Sequence, residues 1–329
     1  MTAAIEAVRA PRGTGWRDPV LLAALVAAVL LAIIGLAPLP SLSALFSSTP
    51  PALELVVADL RGHALTIVNT ADPSRARRIA LPGGPHEIVA LPDGRLAVSL
   101  EQFASIAIVD VAGGAVQTLE VGGTPHGLAV AGDTLYVTDR SVNAIRRLTI
   151  GTWTEQPSIA SGSMPHVVEA RPDGSLAIAN AADDTLTLGD RALHVSHVPE
   201  SIAVGLNGRV ATAGSVGGAL QIFDASGAPV AEYEVGGRPV RLLYDPRGRV
   251  LAAALSADGT VALIEDGVVR RVAVGGVPDG LAFSADGRWL YAGDLYAGVV
   301  SVIDVSRSRV VQRLEGGRSA GALLVLPRR

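Results

Sequence analysis

Two hydrophobic patterns divide the chain. Pro19 to Ala37 is an unbroken apolar run with no charge and no strongly polar side chain. From Leu53 onward the pattern changes to short β-rich runs, such as Leu135-Tyr136-Val137-Thr138, broken by polar turns. The turns include Pro92-Asp93-Gly94-Arg95, Pro172-Asp173-Gly174-Ser175, Pro246-Arg247-Gly248-Arg249 and Ala285-Asp286-Gly287-Arg288, with Asn207-Gly208 in a related place. Asp-Gly and Asn-Gly pairs supply the positive φ of tight hairpins, so each turn predicts two flanking antiparallel strands.

The turns belong to a longer repeat. A glycine-rich step ending in proline recurs as Gly84-Pro85-His86, Gly123-Thr124-Pro125-His126, Ser163-Met164-Pro165-His166, Val198-Pro199-Glu200, Gly237-Arg238-Pro239-Val240 and Gly276-Val277-Pro278-Asp279. A degenerate copy is Gly317-Arg318-Ser319-Ala320. From Pro85 the spacings are 40, 40, 34, 40, 39 and 41 residues. Each unit reads as proline, strand, tight turn, strand, loop, strand, strand, which is a propeller blade. Six units are complete. Leu55–Asp59, Ala64–Asn69 and Arg77–Leu81 make three strands that lack a first one, and Ala320–Leu326 is a lone first strand. Together the fragments predict a seventh blade, and hence an all-β, seven-bladed propeller over residues 53–329 that closes on itself and leaves no open sheet edge array.

The apolar run is long enough to be a transmembrane helix. Nineteen residues (19–37) at 1.5 Å rise span about 28 Å, close to the hydrocarbon thickness of a bilayer. Arg9, Arg12 and Arg17 precede it, and Trp16 suits an interfacial anchor. The positive-inside rule places 1–18 in the cytoplasm as an N-terminal tail and the propeller in the periplasm, outside an inner membrane of bacterial type. The alternative is a cleaved signal peptide, with Ser41, Ser43 and Ala44 as the cleavage region. Both readings export the propeller. Residues 38–52, with four prolines and several serines, read as a linker. An anchored propeller implies a membrane-bound or periplasmic protein partner.

Composition removes several chemistries. There is no cysteine, which excludes disulfides, thiolate nucleophiles, thiolate metal sites and a lipoprotein anchor. All 27 basic residues are arginine, so no lysine Schiff base is possible. A net charge of −4 and 4% aromatics give no sign of a nucleic-acid surface.

The first strand of each blade lines a propeller's central channel. The residue after the repeat proline therefore occupies one equivalent, convergent place in all seven blades: His86, His126, His166, Glu200, Val240, Asp279 and Ala320. Three of the chain's six histidines stand there. They make a candidate site for zinc, copper, iron or nickel, with Glu200 or a water completing the shell. Such an ion could bind a small molecule or activate water for ester or lactone hydrolysis. Glu200, Asp279 or Glu87 would then act as base, and Arg241 or Arg140 would bind an anionic substrate. The ends of the second strands, Asp59, Asp139, Asn180 and Asp294, face the same side and are candidate substrate contacts. The competing explanation is repeat duplication, with each imidazole bonding a neighbouring backbone carbonyl. Gly317-Arg318-Ser319-Ala320-Gly321 matches G-x-S-x-G, but a strand follows it where a nucleophile elbow needs a helix. His194 with His197 and Asp183-Asp184 fall in the one irregular unit, and His63 in a loop on the channel face.

The unit resembles the YVTN family of β-propeller repeats. The resemblance rests on the glycine-x-proline step, the turn tetrads, Tyr136-Val137-Thr138-Asp139 with its looser copies Tyr291-Ala292-Gly293-Asp294 and Ala177-Ile178-Ala179-Asn180, and strands ending in Val109-Asp110 and Ile303-Asp304. It covers Leu53 to Leu326. It implies the propeller fold, and a function among binding or scaffold proteins, lactonase-like hydrolases, and accessory proteins of periplasmic quinoprotein or redox systems.

Overall fold

The computed structural model describes residues 49–326. They form seven four-stranded antiparallel sheets, each one blade. Blade 1 contains Ile88–Ala90, Leu96–Leu100, Ser105–Val109 and Val116–Glu120. Blade 2 contains Pro125–Ala131, Thr134–Asp139, Ala144–Thr149 and Glu155–Ala160. Blade 3, the short unit, contains Pro165–Ala170, Leu176–Asn180, Thr185–Leu188 and Arg191–His194. Blade 4 contains Pro199–Val204, Val210–Gly214, Ala219–Phe223 and Pro229–Glu234. Blade 5 contains Pro239–Tyr244, Leu251–Leu255, Thr260–Glu265 and Val268–Ala273, and blade 6 contains Pro278–Phe283, Trp289–Asp294, Val299–Asp304 and Arg309–Glu315. Blade 7 joins the chain's two ends: Leu323–Val325 pairs with Glu54–Asp59, which is followed by Ala64–Asn69 and Arg77–Ala80.

The register of that seventh blade is Leu55 to Val325, Val56 to Leu324 and Val57 to Leu323. The seven-bladed, end-to-end closed architecture expected from the repeat count is therefore present. The expected hairpin glycines have positive φ, as at Gly94 (84°) and Gly174 (83°). The compact unit begins at Pro51. Among the described residues no helix is long and apolar enough to cross a membrane. The span expected at 19–37, the tail 1–18 and the linker up to residue 48 lie outside the described residues.

Stability comes from the faces between blades. Seven buried apolar clusters occupy the seven interfaces, one each. Between blades 6 and 7, Trp289 and Tyr291 pack on Leu55, Val57, Ala320 and Leu323. Between blades 7 and 1, Val56, Leu65 and Ile67 pack on Leu96, Val98 and Leu100. The second strands are buried on both faces, as in Leu251–Leu255 and Leu96–Leu100. This is why they read as near-continuous apolar runs.

Two substitutions probe the closing interface, read by equilibrium denaturation. Leu323→Ala removes a buried side chain from the closing strand and is expected to cost about 3 kcal/mol. Tyr291→Phe is expected to be neutral or to stabilise by up to about 1 kcal/mol, because the Tyr291 hydroxyl is buried and has no hydrogen-bond partner among the described residues.

Candidate functional site

The repeat's glycine step has a steric cause. In blades 2, 3, 6 and 7 the polar residue that ends the second strand folds its side chain back against that step. A Cβ on Gly276 would lie 1.6 Å from Asp294 Oδ2, and one on Gly123 would lie 2.1 Å from Asp139 Oδ2. The carboxylates then collect backbone donors. Asp139 Oδ1 accepts from the Thr124 and Ser141 N–H groups, both at 3.0 Å, and its Oδ2 accepts from Arg146 Nε at 2.8 Å. Asp59 Oδ1 accepts from Gly62 N at 2.9 Å and Ser319 N at 3.0 Å. Asp294 Oδ1 accepts from Tyr296 N and Ala297 N. Asn180 donates Nδ2 to Thr185 and Thr187, both at 3.0 Å. Asp59, Asp139 and Asn180 are buried, so these expected substrate contacts sit inside the blades as staples of the turns.

Ser319 is wholly buried. Its hydroxyl donates to Asp59 Oδ1 and accepts from Arg61 N, so the G-x-S-x-G match forms part of the same staple. His197 Nδ1 makes a surface contact with Asp184 Oδ2 at 2.6 Å. His63 is exposed in a turn at φ 50°.

The staples hold the turns that carry the channel-lining residues. The three repeat histidines form a continuous stack. Ring centroids of His86 and His126 are 4.2 Å apart and those of His126 and His166 4.1 Å, each pair tilted by nearly 50°. His126 is fully enclosed, and its Nδ1 lies 3.0 Å from the His166 carbonyl oxygen. The carbonyl contact expected from duplication alone is thus present for His126, yet it leaves Nε2 uncommitted. Burial pushes the His126 ring well below its ordinary value, helped by His166, His86, Arg140 and Arg241. Burial and then Arg140 bring His166 down to about 4. Both imidazoles are neutral at pH 7, the state that offers a lone pair to a metal.

The ligand atoms that converge differ from the expected set. Those of His86, Glu101 and His126 all lie within 4.8 Å of one another. Glu101 opens a short 3-10 turn, Glu101–Phe103, just after the second strand of blade 1. Its Oε2 is 3.8 Å from His86 Nε2, and its Oε1 accepts from Arg140 Nη1 of blade 2 at 2.9 Å. His166 stacks on the group but is not among the converging ligand atoms. Glu200 is turned aside and paired with Arg238 at 3.5 Å.

Glu101 had a signal in the sequence. It occupies the same place in blade 1 that Arg140 occupies in blade 2. Blade 1's second strand ends in Leu100 rather than an acid, so a search for acids ending that strand passes over it.

Below the stack the channel is crossed by charge. Arg241 of blade 5 reaches Glu87 of blade 1 at 2.6 Å, across the ring, and Asp279 of neighbouring blade 6 at 3.5 Å. Burial opposes the Arg241 charge, but Glu87 and Asp279 outweigh it and raise its pKa. Glu169 of blade 3 accepts from Val204 N at 3.0 Å. Burial raises Glu169 to about 7 against that hydrogen bond and Arg241. No repeat signal in the sequence marks Glu169. It sits four residues beyond the repeat histidine's proline, where blades 2 and 4 carry Ala129 and Ala203.

No protein-family model matches the chain, and no curated protein matches it by sequence. Solved propellers do match by shape. The periplasmic gluconolactonase PpgL of Pseudomonas aeruginosa aligns at TM-score 0.68 with 17% identity, over 84% of this chain and 99% of that one. Virginiamycin B lyase from Staphylococcus aureus aligns at 0.65 with 13% identity, over 74% and 89%. Kuenenia stuttgartiensis hydrazine synthase aligns at 0.64 with 19% identity, over 74% and 95%. At these identities the likeness is one of fold.

Asp139→Ala leaves Arg146 Nε, the Ser141 hydroxyl and two backbone donors without their acceptor, while Arg146 keeps Glu155, and is expected to cost about 3 kcal/mol. Burial pushes Asp139 up, but Ser141, Thr124 and Arg146 together hold its pKa below the ordinary value. A carboxylate lowered in the folded state stabilises above its unfolded pKa of about 3.9 and loses that contribution as pH falls through the folded value. Stability measured from pH 5 downward should therefore decline in the wild type and decline less steeply in Asp139→Asn.

Proposed function

We propose that the protein is an extracytoplasmic binding module, a divergent YVTN-type propeller. In this reading its funnel takes a divalent transition metal between His86, Glu101 and His126. The observation that carries this is the convergence of those three side chains' ligand atoms within 4.8 Å. Two imidazoles and one carboxylate suit zinc, and leave a position for a water or an incoming ligand. Zinc bonds of about 2.0–2.1 Å place tetrahedral ligands roughly 3.4 Å apart. The three side chains would draw in by about 1 Å, within reach of small side-chain rotations.

Binding is favoured over metal-dependent hydrolysis by the state of the expected bases. Glu87 and Asp279 are held by Arg241, and Glu200 faces Arg238. Each is already engaged by a cation rather than directed at a water.

The anchor at 19–37 fits this reading. Thr70, at the end of blade 7's third strand, donates to the Pro51 carbonyl at 2.7 Å. Asp59, at the far end of the strand that follows Pro51, reaches Ser319 on the funnel side. Pro51 thus meets blade 7 at the end of the Glu54–Asp59 strand opposite the one that reaches Ser319.

Two measurements test this. Full-length protein, purified in detergent and dialysed against zinc, should hold one ion per chain by elemental mass spectrometry. That ion should be lost in His86→Ala, His126→Ala and Glu101→Gln and kept in Glu200→Gln. Wild type without stoichiometric metal, or a Glu101→Gln variant that keeps it, would sink the assignment. A reporter enzyme active only outside the cytoplasm, fused after Arg329, should be active; an inactive but folded fusion would defeat the export reading.

A further inference from the structure

Four nitrogens around the funnel are buried and have no hydrogen-bond partner among the described residues: His86 Nδ1, His166 Nδ1, Arg140 Nε and Arg241 Nε. Buried polar atoms are ordinarily satisfied, and a group of orphans in one place calls for an explanation. The two guanidinium nitrogens can only donate, so the missing partner is an acceptor. Glu101 competes with any such acceptor for Arg140. It takes one arm of Arg140 at 2.9 Å and holds that guanidinium's charge.

The charges decide the order of events. Glu87, Glu101 and Asp279 face Arg140 and Arg241, so carboxylates outnumber guanidiniums by one in the funnel. Glu169 adds a further negative charge when ionised. In the low-dielectric funnel such an excess repels an anion. A divalent ion on His86, Glu101 and His126 would move the balance two units toward positive. It would also draw the Glu101 charge away from Arg140. The guanidinium's planar fork would then be open to a second oxyanion, the geometry arginine recognises best.

We propose, building on the metal reading above, that the funnel is a metal-dependent receptor for a small oxyanion, a carboxylate or a phosphate, held between the ion and Arg140. Metal and anion bind cooperatively. The ion creates the anion site by neutralising Glu101, and the anion in turn tightens the ion. No covalent step is involved. Arg140 acts as the switch because it has two alternative partners, Glu101 or the ligand, and the ion chooses between them.

The test is calorimetric titration of the full-length chain in detergent, with and without saturating zinc. Acetate, phenylacetate and inorganic phosphate are the probes, and comparing them tells a carboxylate preference from a phosphate one. At least one probe should bind about tenfold or more tightly in the zinc-loaded protein, and by linkage should raise the affinity for zinc by the same factor. At saturating zinc, Arg140→Gln should lose the gain, whereas Arg140→Lys should keep part of it. Equal anion affinity with and without zinc would overturn the proposal, as would a full gain in Arg140→Gln. Zinc uptake without anion coupling defeats this inference alone; absence of zinc uptake defeats it together with the metal assignment.

Discussion

Closure of the ring governs the rest of the molecule. Three residues at the chain's far end, Leu323 to Val325, supply the first strand of a sheet whose other strands lie near its beginning. Without that pairing, Val56 and Val57 would end on an open edge and the clusters on both sides of blade 7 would lose a wall. With it, all seven interblade interfaces are filled. Each first strand is held at the channel by apolar packing behind it. A channel residue can therefore be polar or charged without endangering the blade that presents it.

That freedom carries an electrostatic constraint. Seven first strands crowd their side chains into one narrow space, where an unpaired charge is costly. The protein answers by pairing across the ring. Arg241 and Glu87 come from blades three steps apart and meet at 2.6 Å, and Arg238 holds Glu200 at the rim. The histidines answer differently. Stacked together, with His126 fully enclosed, His126 and His166 stay neutral. Neutral rings stacked near Glu101 and guanidiniums bonded to acids give the funnel two separate chemistries, one suited to a cation and one to an anion.

The fold was legible because a blade is a local object. Each turn pair and each glycine step sits within about forty residues, so spacing alone revealed the units and their number. The equivalence of His86, His126 and His166 followed from the same periodicity. What periodicity hides is any residue that matters by breaking it. Glu101 stands where blade 2 has Arg140, and Glu169 where its neighbours have alanine, so a search for recurring types passes over both. Periodicity also groups residues that share a structural role. Asp59, Asp139, Asn180 and Asp294 each pack on the glycine step of their blade, a contact that spacing alone does not reveal. Arg241 and Glu87 were individually visible in the sequence, but their pairing across the channel depends on the ring's diameter, which no local pattern encodes.

The staples and the funnel are therefore parts of one device. Asp139 ties the Thr124 turn that leads into His126, and the residue after Asp139 is Arg140, which grips Glu101. A single turn thus sets the position of an enclosed imidazole and of the guanidinium that restrains the nearby carboxylate. Because His86 and Glu101 belong to blade 1 and His126 and Arg140 to blade 2, the site straddles one blade interface. Its geometry is then fixed by the packing of Ile106, Ile108, Leu135 and Val137 behind it. A cation drawn in between these two blades would bond both of them. It would tighten that seam and release Arg140 in the same event.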